Sequence, residues 1–323
     1  MNMVKYALKR LLLMFFTFFV IMLICFVLIK LLPPKDLSAL SPDQRKIIEL
    51  SREARGYNKP ILEQFYIFWK RIFTKWDWGL GESYLPSQSV AKTFGTMLPA
   101  TMMVNLYSII LSIPLGIGLG IYAALRKNKW QDQVVSTGIM IFISVPNFVL
   151  AFLLQYIFYY KLGWFPALMA STTKYGWFSW TTFKSIIMPV FALSLGVVAG
   201  FARVTRAELT EVLTSEFMLL ARTKGLTKGQ SILRHALRNC AVIIVPSIMG
   251  EFIGIMSGSL VIESYFSIPG VGGLYLNAVK ALDYNFFMME SAFYTFIGLL
   301  AGIVVDISYG IIDPRIRMGG GKA

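Results

Sequence analysis

One histidine, His235, and two cysteines, Cys25 and Cys240, are all the imidazole and thiol ligands that 323 residues offer. The cysteines lie far apart and form no CxxC pair, and three such residues in all fall short of a four-ligand Cys/His zinc site. His235 reads as an ordinary loop histidine. A single histidine also leaves no convincing Ser/His/Asp set and no H-E-x-x-H. There is no G-x-x-x-x-G-K-[ST], so the chain has no phosphate-cradling loop of its own. The run GIGLG, Gly116–Gly120, lies inside an apolar stretch, and its G-x-x-x-G spacing reads as close helix packing, not as a dinucleotide fingerprint. These absences predict a chain with no catalytic residues, no metal and no cofactor of its own.

Charge is scarce as well. Asp, Glu, Lys and Arg make up 15% of the chain, against about 25% in ordinary soluble domains. Hydrophobic residues reach 56%, an excess that calls for a lipid solvent. The net charge of +14 suggests nucleic acid at first sight. The basic residues sit between apolar runs, however, which fits the cytoplasmic face of a membrane protein and argues against a nucleic-acid partner.

Spanning the hydrocarbon takes roughly 20 mostly apolar residues. Six stretches qualify: about Leu11–Leu32, Ala100–Leu125, Val134–Tyr160, Ile186–Ala202, Cys240–Ile262 and Phe286–Ile312. The fourth is short and holds Pro189. Lipid leaves no backbone group unpaired, so the expected fold is an all-α polytopic membrane protein with six transmembrane helices. The first run is too long for a signal peptide and no small-residue cleavage site follows it, so it reads as a retained anchor.

Basic residues set the orientation. Lys5, Lys9 and Arg10 precede the first span, and Arg126, Lys127 and Lys129 follow the second. The stretch Leu219–Asn239 precedes the fifth, and Arg315, Arg317 and Lys322 follow the sixth. In a six-span arrangement all four lie on one side, which the positive-inside rule makes the cytoplasm, with both termini there. The first external connection, about Pro33–Leu98, repeats Ile61, Phe65, Phe68, Trp69, Ile72, Phe73 and Trp76 at helical spacing. Lys70, Arg71 and Lys75 fall on its other faces, so it reads as an amphipathic helix at the outer interface.

The stretch LLARTKGLTKGQSILRHALRN, Leu219–Asn239, is cationic and broken by two glycines. Upstream, Leu209, Val212, Leu213, Phe217, Leu220 and Ala221 recur at three and four residues, one stripe on one helix. Lys224 and Gly225 provide a last-turn cation and a stop. Thr227 and Gln230 have capping-box spacing for a second helix, with Ile232, Leu233, Ala236 and Leu237 as its apolar side and Arg234 and Arg238 outside it. Helix, sharp turn, helix is a rigid docking shape; a solvated basic loop near anionic lipid is the alternative.

The segment EFMLLARTKGLTKGQSILRHALRN resembles the cytoplasmic loop of ABC importer permeases in its peptide-importer form. WGLGESY (Trp78–Tyr84), TMLPATMMVN (Thr96–Asn105), VIESYFSIPGVGGL (Val261–Leu274) and DPRIR (Asp313–Arg317) resemble the B-type permease subunit of oligopeptide and dipeptide importers, in order and nearly end to end. The resemblance implies a type I importer permease fold. It divides the chain into a first helix (1–32), an external segment (33–97), a five-helix core (98–312) with a coupling loop at about 204–238, and a cytoplasmic tail (313–323). It implies ATPase coupling through residues 216–230, with Glu216, Phe217, Ala221, Arg222, Lys224, Gly225 and Leu226 matching. Leu219 departs, since a basic residue is common there. Pro269 and Gly270 match the external loop before the last span, where they would also suit a plain tight turn.

The implied partners are a second, C-type permease, two ATP-binding subunits holding ATP and Mg, an extracytoplasmic binding protein and membrane lipid. The implied place is the bacterial cytoplasmic membrane. Oligosaccharides and nickel complexes remain alternative cargoes. A proton-coupled secondary transporter is a rival of another class, resting on Glu251, Glu290 and Asp306 within apolar runs; a scaffold with no pathway is a second. Asn105 and Glu251 are candidates for the translocation path. Glu251 sits midway along the fifth span and should face protein or a water-filled cavity, not lipid.

Overall fold

The structure, a computed structural model, describes residues 3–32, 37–38, 40–254 and 260–312. The end of the fifth expected span (255–259) and the tail with Asp313–Arg317 and Lys322 lie outside the described residues. Regular structure among the described residues is helical: α1 (Met3–Leu31), α2 (Pro42–Ala54), α3 (Ile61–Lys75), α4 (Val90–Leu125), α5 (Trp130–Ser144), α6 (Asn147–Leu154), α7 (Thr172–Tyr175), α8 (Trp180–Leu213), α9 (Glu216–Thr223), α10 (Lys228–Ser231), α11 (Leu237–Gly254), α12 (Leu260–Tyr265), α13 (Val271–Ala281) and α14 (Tyr284–Ile312). Wider π-helical turns extend α6 over Gln155–Lys161 and join α10 to α11 over Ile232–Ala236.

Five helical stretches are long and apolar enough to cross a bilayer, and the bent pair α5–α6 makes a sixth when counted as one span. Two of the spans differ from the sequence reading. The third, expected as one helix, is broken and bent by 103°. Pro146 has no N–H to continue the ladder and pushes the preceding residue out of the helical region, so Val145 is extended at φ −83°, ψ 123°. The fourth, expected to be short, belongs to the 34-residue α8, which keeps Pro189 inside it. At 1.5 Å per residue α8 is about 51 Å long, well beyond a hydrocarbon core of about 30 Å.

The centre of the fold is the packing of α4 on α8. A Cβ on Gly116 would stand 2.7 Å from Phe201 Cβ, and one on Gly120 2.6 Å from Thr205 Cβ. The G-x-x-x-G pair is therefore a notch that lets α8 approach the α4 backbone. Further along, Ser194 Oγ lies 2.6 Å from Val190 O and 3.1 Å from Ser108 Oγ, so buried hydroxyls link the two helices with their polar groups satisfied. Near the C-terminal end of α8, Arg206 grips Asp132 of α5 through two bonds of 2.5 and 2.8 Å.

The described residues of the segment 33–97 include α2 and α3. The inner face of α3 buries Phe68, Trp69 and Ile72, and the rings of Phe26, Phe18 and Trp78 meet it edge-on or tilted. Its outer edge leaves Leu62, Tyr66 and Phe73 exposed. α3 is thus apolar on two faces, with Lys70 and Lys75 exposed as well.

Candidate functional site

Two polar constructions and one apolar surface stand out. The surface is the elbow between α8 and α11. The expected continuous helix through Leu209–Ala221 is interrupted: α8 stops at Leu213, and a new helix, α9, starts at Glu216 after the N-cap Ser215. The hydroxyls of Thr214 and Ser215 turn back onto the carbonyls of Glu211 and Val212, a local competition that ends helices. The stripe therefore splits. Leu209 and Met218 are buried in a cluster with Ala124, Ala236, Cys240 and Ile244. Phe217 and Leu220, expected on that same face, are exposed, as is Leu219 at 65%.

The turn after α9 is a Schellman motif. Leu226 N–H donates to Ala221 O at 3.3 Å and Gly225 N–H to Arg222 O at 3.0 Å. Gly225 takes φ +86°, in the region that side chains avoid. Thr227 and Gln230 then close the capping box, each side chain accepting the other's N–H. The expected second helix starts here as α10. α10 runs through the π turns straight into α11, and this shift of winding turns Leu233 outward while Ile232 and Ala236 stay buried. Of the residues singled out here, Met218 and Ala221 face inward, whereas Glu216, Phe217, Arg222, Lys224 and Gly225 are exposed and Leu226 is half-buried.

The first polar construction is at the start of α13. Glu263 of α12, buried, accepts from Thr101 Oγ1 at 2.7 Å, Gly272 N–H at 2.9 Å and Gly273 N–H at 3.3 Å. Thr101 Oγ1 in turn accepts the Val271 N–H at 3.0 Å. The carboxylate thus supplies acceptors to the free N–H groups at a helix start, and it ties the SIPGVGG loop to α4. Gly270 is packed so closely against Glu263 and Thr101 that no side chain fits there. Pro269 is exposed.

The second lies at the start of α14. Asp283 accepts three consecutive N–H groups, of Glu82, Ser83 and Tyr84, at 2.6, 2.8 and 3.0 Å, and also caps Phe286 N–H. Glu82 accepts from Tyr57 Oη at 2.6 Å, Arg52 Nε at 2.9 Å and Asn285 Nδ2 at 3.2 Å. Asp77 joins Arg71 and Arg55. Burial and the neighbouring Glu82 carboxylate push the Tyr57 hydroxyl well above its usual pKa. Burial raises the Asp77 carboxyl, but the Arg71 hydrogen bond and the two guanidinium charges outweigh it and hold the group below the usual range. These residues fasten WGLGESY to the last span. Asp283, Glu82, Glu263 and Thr101 were not singled out from the sequence. Asp283 carried a signal, an acid directly before an apolar helix; the others depend on partners far away in the chain.

Asn105 is half-buried and donates to Thr101 O within its own helix. Glu251 is exposed on α11. Neither comes together with the elbow. Of the acids in the secondary-transporter reading, Asp306 pairs with Arg10 at 3.0 Å, while Glu290 is fully buried with both carboxyl oxygens lacking a hydrogen-bond partner. The three form no cluster with metal-binding potential among the described residues.

The model of the family "Binding-protein-dependent transport system inner membrane component" matches residues 116–318, and that of its N-terminal region matches residues 3–105. The dipeptide transport system permease protein DppB of Lactococcus lactis is 34% identical over 319 residues, 98% of this chain and all of that protein. The oligopeptide transport system permease protein OppB of Haemophilus influenzae is 31% identical over 98% of this chain and all of its own length. The glutathione transport system permease protein GsiC of Escherichia coli is 32% identical over 98% of this chain and 99% of that protein. In fold, the chain is similar to the MetNI methionine ABC transporter in an inward-facing conformation (TM-score 0.53, 15% identity, 69% of this chain and 97% of that one). A crystal structure of an amino acid ABC transporter with histidines also matches (TM-score 0.50, 18% identity, 68% and 94%). Full-length relatives, two consecutive family models and the shared helical fold agree: the chain belongs to the binding-protein-dependent transport system inner membrane components, the multi-pass permeases of ABC importers.

Proposed function

We propose that this chain is the B-type permease of a peptide importer, docking a separate ATPase through α9, the Gly225 turn and α10. The observation that carries the docking is the elbow itself. A rigid Schellman turn and capping box hold up Phe217, Leu219 and Leu220, which the chain leaves exposed, while Met218 anchors them from below at 1% exposure. Exposed apolar side chains on a braced helix suit a groove in a second protein. Peptide cargo rests on the names of the relatives, which transport dipeptides, oligopeptides and glutathione.

In this reading ATP and Mg are held by the two ATPases, whose closure pulls the elbows. This chain and a C-type permease then alternate between inward-open and outward-open states. A binding protein delivers peptide to the opposite mouth, near Pro269 and Gly270, and Asn105 and Glu251 line the path. The division at residues 32, 97 and 312 goes with this assignment. The elbow and both termini face the cytoplasm, a placement supported by the basic residues around them.

The test is uptake of a mixed peptide library by the whole importer in proteoliposomes. ATP-dependent accumulation of peptides supports the reading; accumulation driven by a proton gradient without ATP overturns it. Single cysteines at Asp43, Lys174, Arg126 and Gly225, treated with an impermeant thiol reagent in intact cells, check orientation. Labelling at Gly225 would reverse it.

A further inference from the structure

Two arginines stand about one turn apart on α8 and have different surroundings. Arg206 is tied to Asp132, at the first turn of α5. Arg203 lines a cleft at the other end of α5, where the chain breaks at Val145 and Pro146. Asp132 and Val145 are separated by about 20 Å of helix at 1.5 Å per residue. A shift of one turn, about 5 Å, between the two Cα positions covers little of that distance. Arg203 thus belongs to a cleft that runs from its own level on α8 toward the break in the α5–α6 span, away from the Arg206–Asp132 pair.

Arg203 is exposed in the single chain, and among the described residues it makes no hydrogen bond or ion pair. An uncompensated arginine within a span costs about 2.5–3.5 kcal/mol even on the mildest insertion scale, so it faces water, a ligand or protein, not acyl chains. The space beside it is shaped for a ligand. The cleft has a volume of about 540 Å³ and is lined by Ser144, Pro146, Asn147, Gly196 and Gly200 together with Arg203. Positions 196, 200 and 203 share one face of α8, spaced by four and three residues. A Cβ on Gly200 would meet nothing within 4 Å, and one on Gly196 would just touch Asn147 Oδ1 at 3.4 Å. The glycines therefore keep the floor at backbone height. The carboxamide of Asn147 is exposed at the rim and has no hydrogen bond in the chain.

We infer that this cleft is a subsite on the translocation path, in which Arg203 receives the terminal carboxylate of a passing peptide, with Asn147 as a neutral second donor. The inference rests on the peptide-importer reading. A guanidinium offers two parallel N–H groups that match a carboxylate, the one group that every peptide with a free C-terminus carries whatever its sequence. The cleft is open to the outside of the chain, and the floor is backbone, so side chains of different sizes pass. A single arginine holds a carboxylate firmly enough to orient it and weakly enough to release it.

The test uses the complete importer in proteoliposomes and two probes, trialanine and trialanine amide, which differ only at the terminal carboxylate. The reading is the ratio of their ATP-driven uptake rates. The binding protein is the same in every sample, so a change in ratio belongs to the permease. Arg203→Gln is expected to lower the trialanine-to-amide ratio about tenfold, the size of one lost charge-assisted hydrogen bond. Arg203→Lys should restore part of it, keeping the charge without the fork. Gly200→Leu fills the cleft and should slow both probes in a complex that still assembles. An unchanged ratio in Arg203→Gln overturns the inference, whatever the absolute rate. So does equal loss of both probes together with loss of the complex, which would make Arg203 a contact to the second permease. Normal uptake by Gly200→Leu also overturns it, by removing the cleft from the path. If the unaltered importer takes up neither probe, the peptide reading itself fails and takes this inference with it.

Discussion

The two ends of this molecule treat their polar and apolar groups in opposite ways. At the end that holds α2, α3 and the start of α14, the buried carboxylates are matched inside the chain: Asp283 to three backbone N–H groups, Glu82 to Tyr57, Arg52 and Asn285, Asp77 to two arginines. Lys30 Nζ there has no hydrogen-bond partner and lies over the Tyr57 and Tyr284 rings. At the elbow end Asp132 is matched to Arg206 and the capping box is closed, but on α9 only Met218 and Ala221 turn inward and large apolar side chains stand in the open. A surface whose needs are met inside the chain holds its own shape. A surface left unmet expects another protein, and a permease of an ABC importer does work beside a second permease and ATPase subunits.

That contrast can be broken most forcefully at Asp283. Asp283→Ala leaves three adjacent N–H groups without their acceptor in a buried place. Each orphan costs about 1–3 kcal/mol, so the expected result is several kcal/mol of lost stability, read as a large drop in the melting temperature of the detergent-purified protein. Glu263→Ala should cost less, because it orphans two backbone N–H groups where Asp283 holds four, and the Thr101 hydroxyl can rotate to another acceptor. A melt unchanged by either substitution would remove the idea of a self-sufficient end.

The elbow should respond in the other sense. Gly225→Val forces a β-branched side chain to φ +86°, a local cost of about 1–2 kcal/mol. A Cβ there meets nothing within 4 Å, so no packing loss adds to that strain and the global melt should fall by no more than the local cost. The damage is to aim: ATPase association and uptake should fall together while the protein still inserts. Normal uptake would show that the turn is not a coupling element. Phe217→Ala and Leu220→Ala should change stability by less than about 0.5 kcal/mol and still weaken ATPase copurification. Equal copurification would leave these side chains without a partner.

The smallest effect sharpens the comparison through pH. The Asp77 carboxyl has a lower pKa folded than unfolded. Its contribution is therefore present at neutral pH and is lost as pH falls through the folded value. Asp77 and Arg71 are partly exposed, so solvent screening keeps the pair modest, at about 1 kcal/mol or less. In Asp77→Asn the acid-side fall in stability should be shallower than in the unaltered chain. An identical pH profile would mean that the ion pair contributes nothing.

Much of this was written in the sequence because it depends on near neighbours. Long apolar runs require helices in lipid, whatever lies beside them. Gly225 after Lys224, and Thr227 three residues before Gln230, set a stop and a start from local hydrogen bonding alone, and the glycines at 116 and 120 announced close packing. The tertiary structure decided what depends on distant partners or on two local preferences in conflict. Pro146 bends a run whose hydropathy reads as continuous, because hydropathy does not register a missing N–H. Thr214 and Ser215 split a periodic stripe, because their hydroxyls compete for helix carbonyls, and only packing then determines that Met218 goes in and Phe217 stays out. Asp283 finds its N–H groups 199 to 201 residues away, and Glu263 finds Thr101 162 residues away. No periodicity or spacing encodes such pairs, because the free energy that selects them exists only once the helices have assembled.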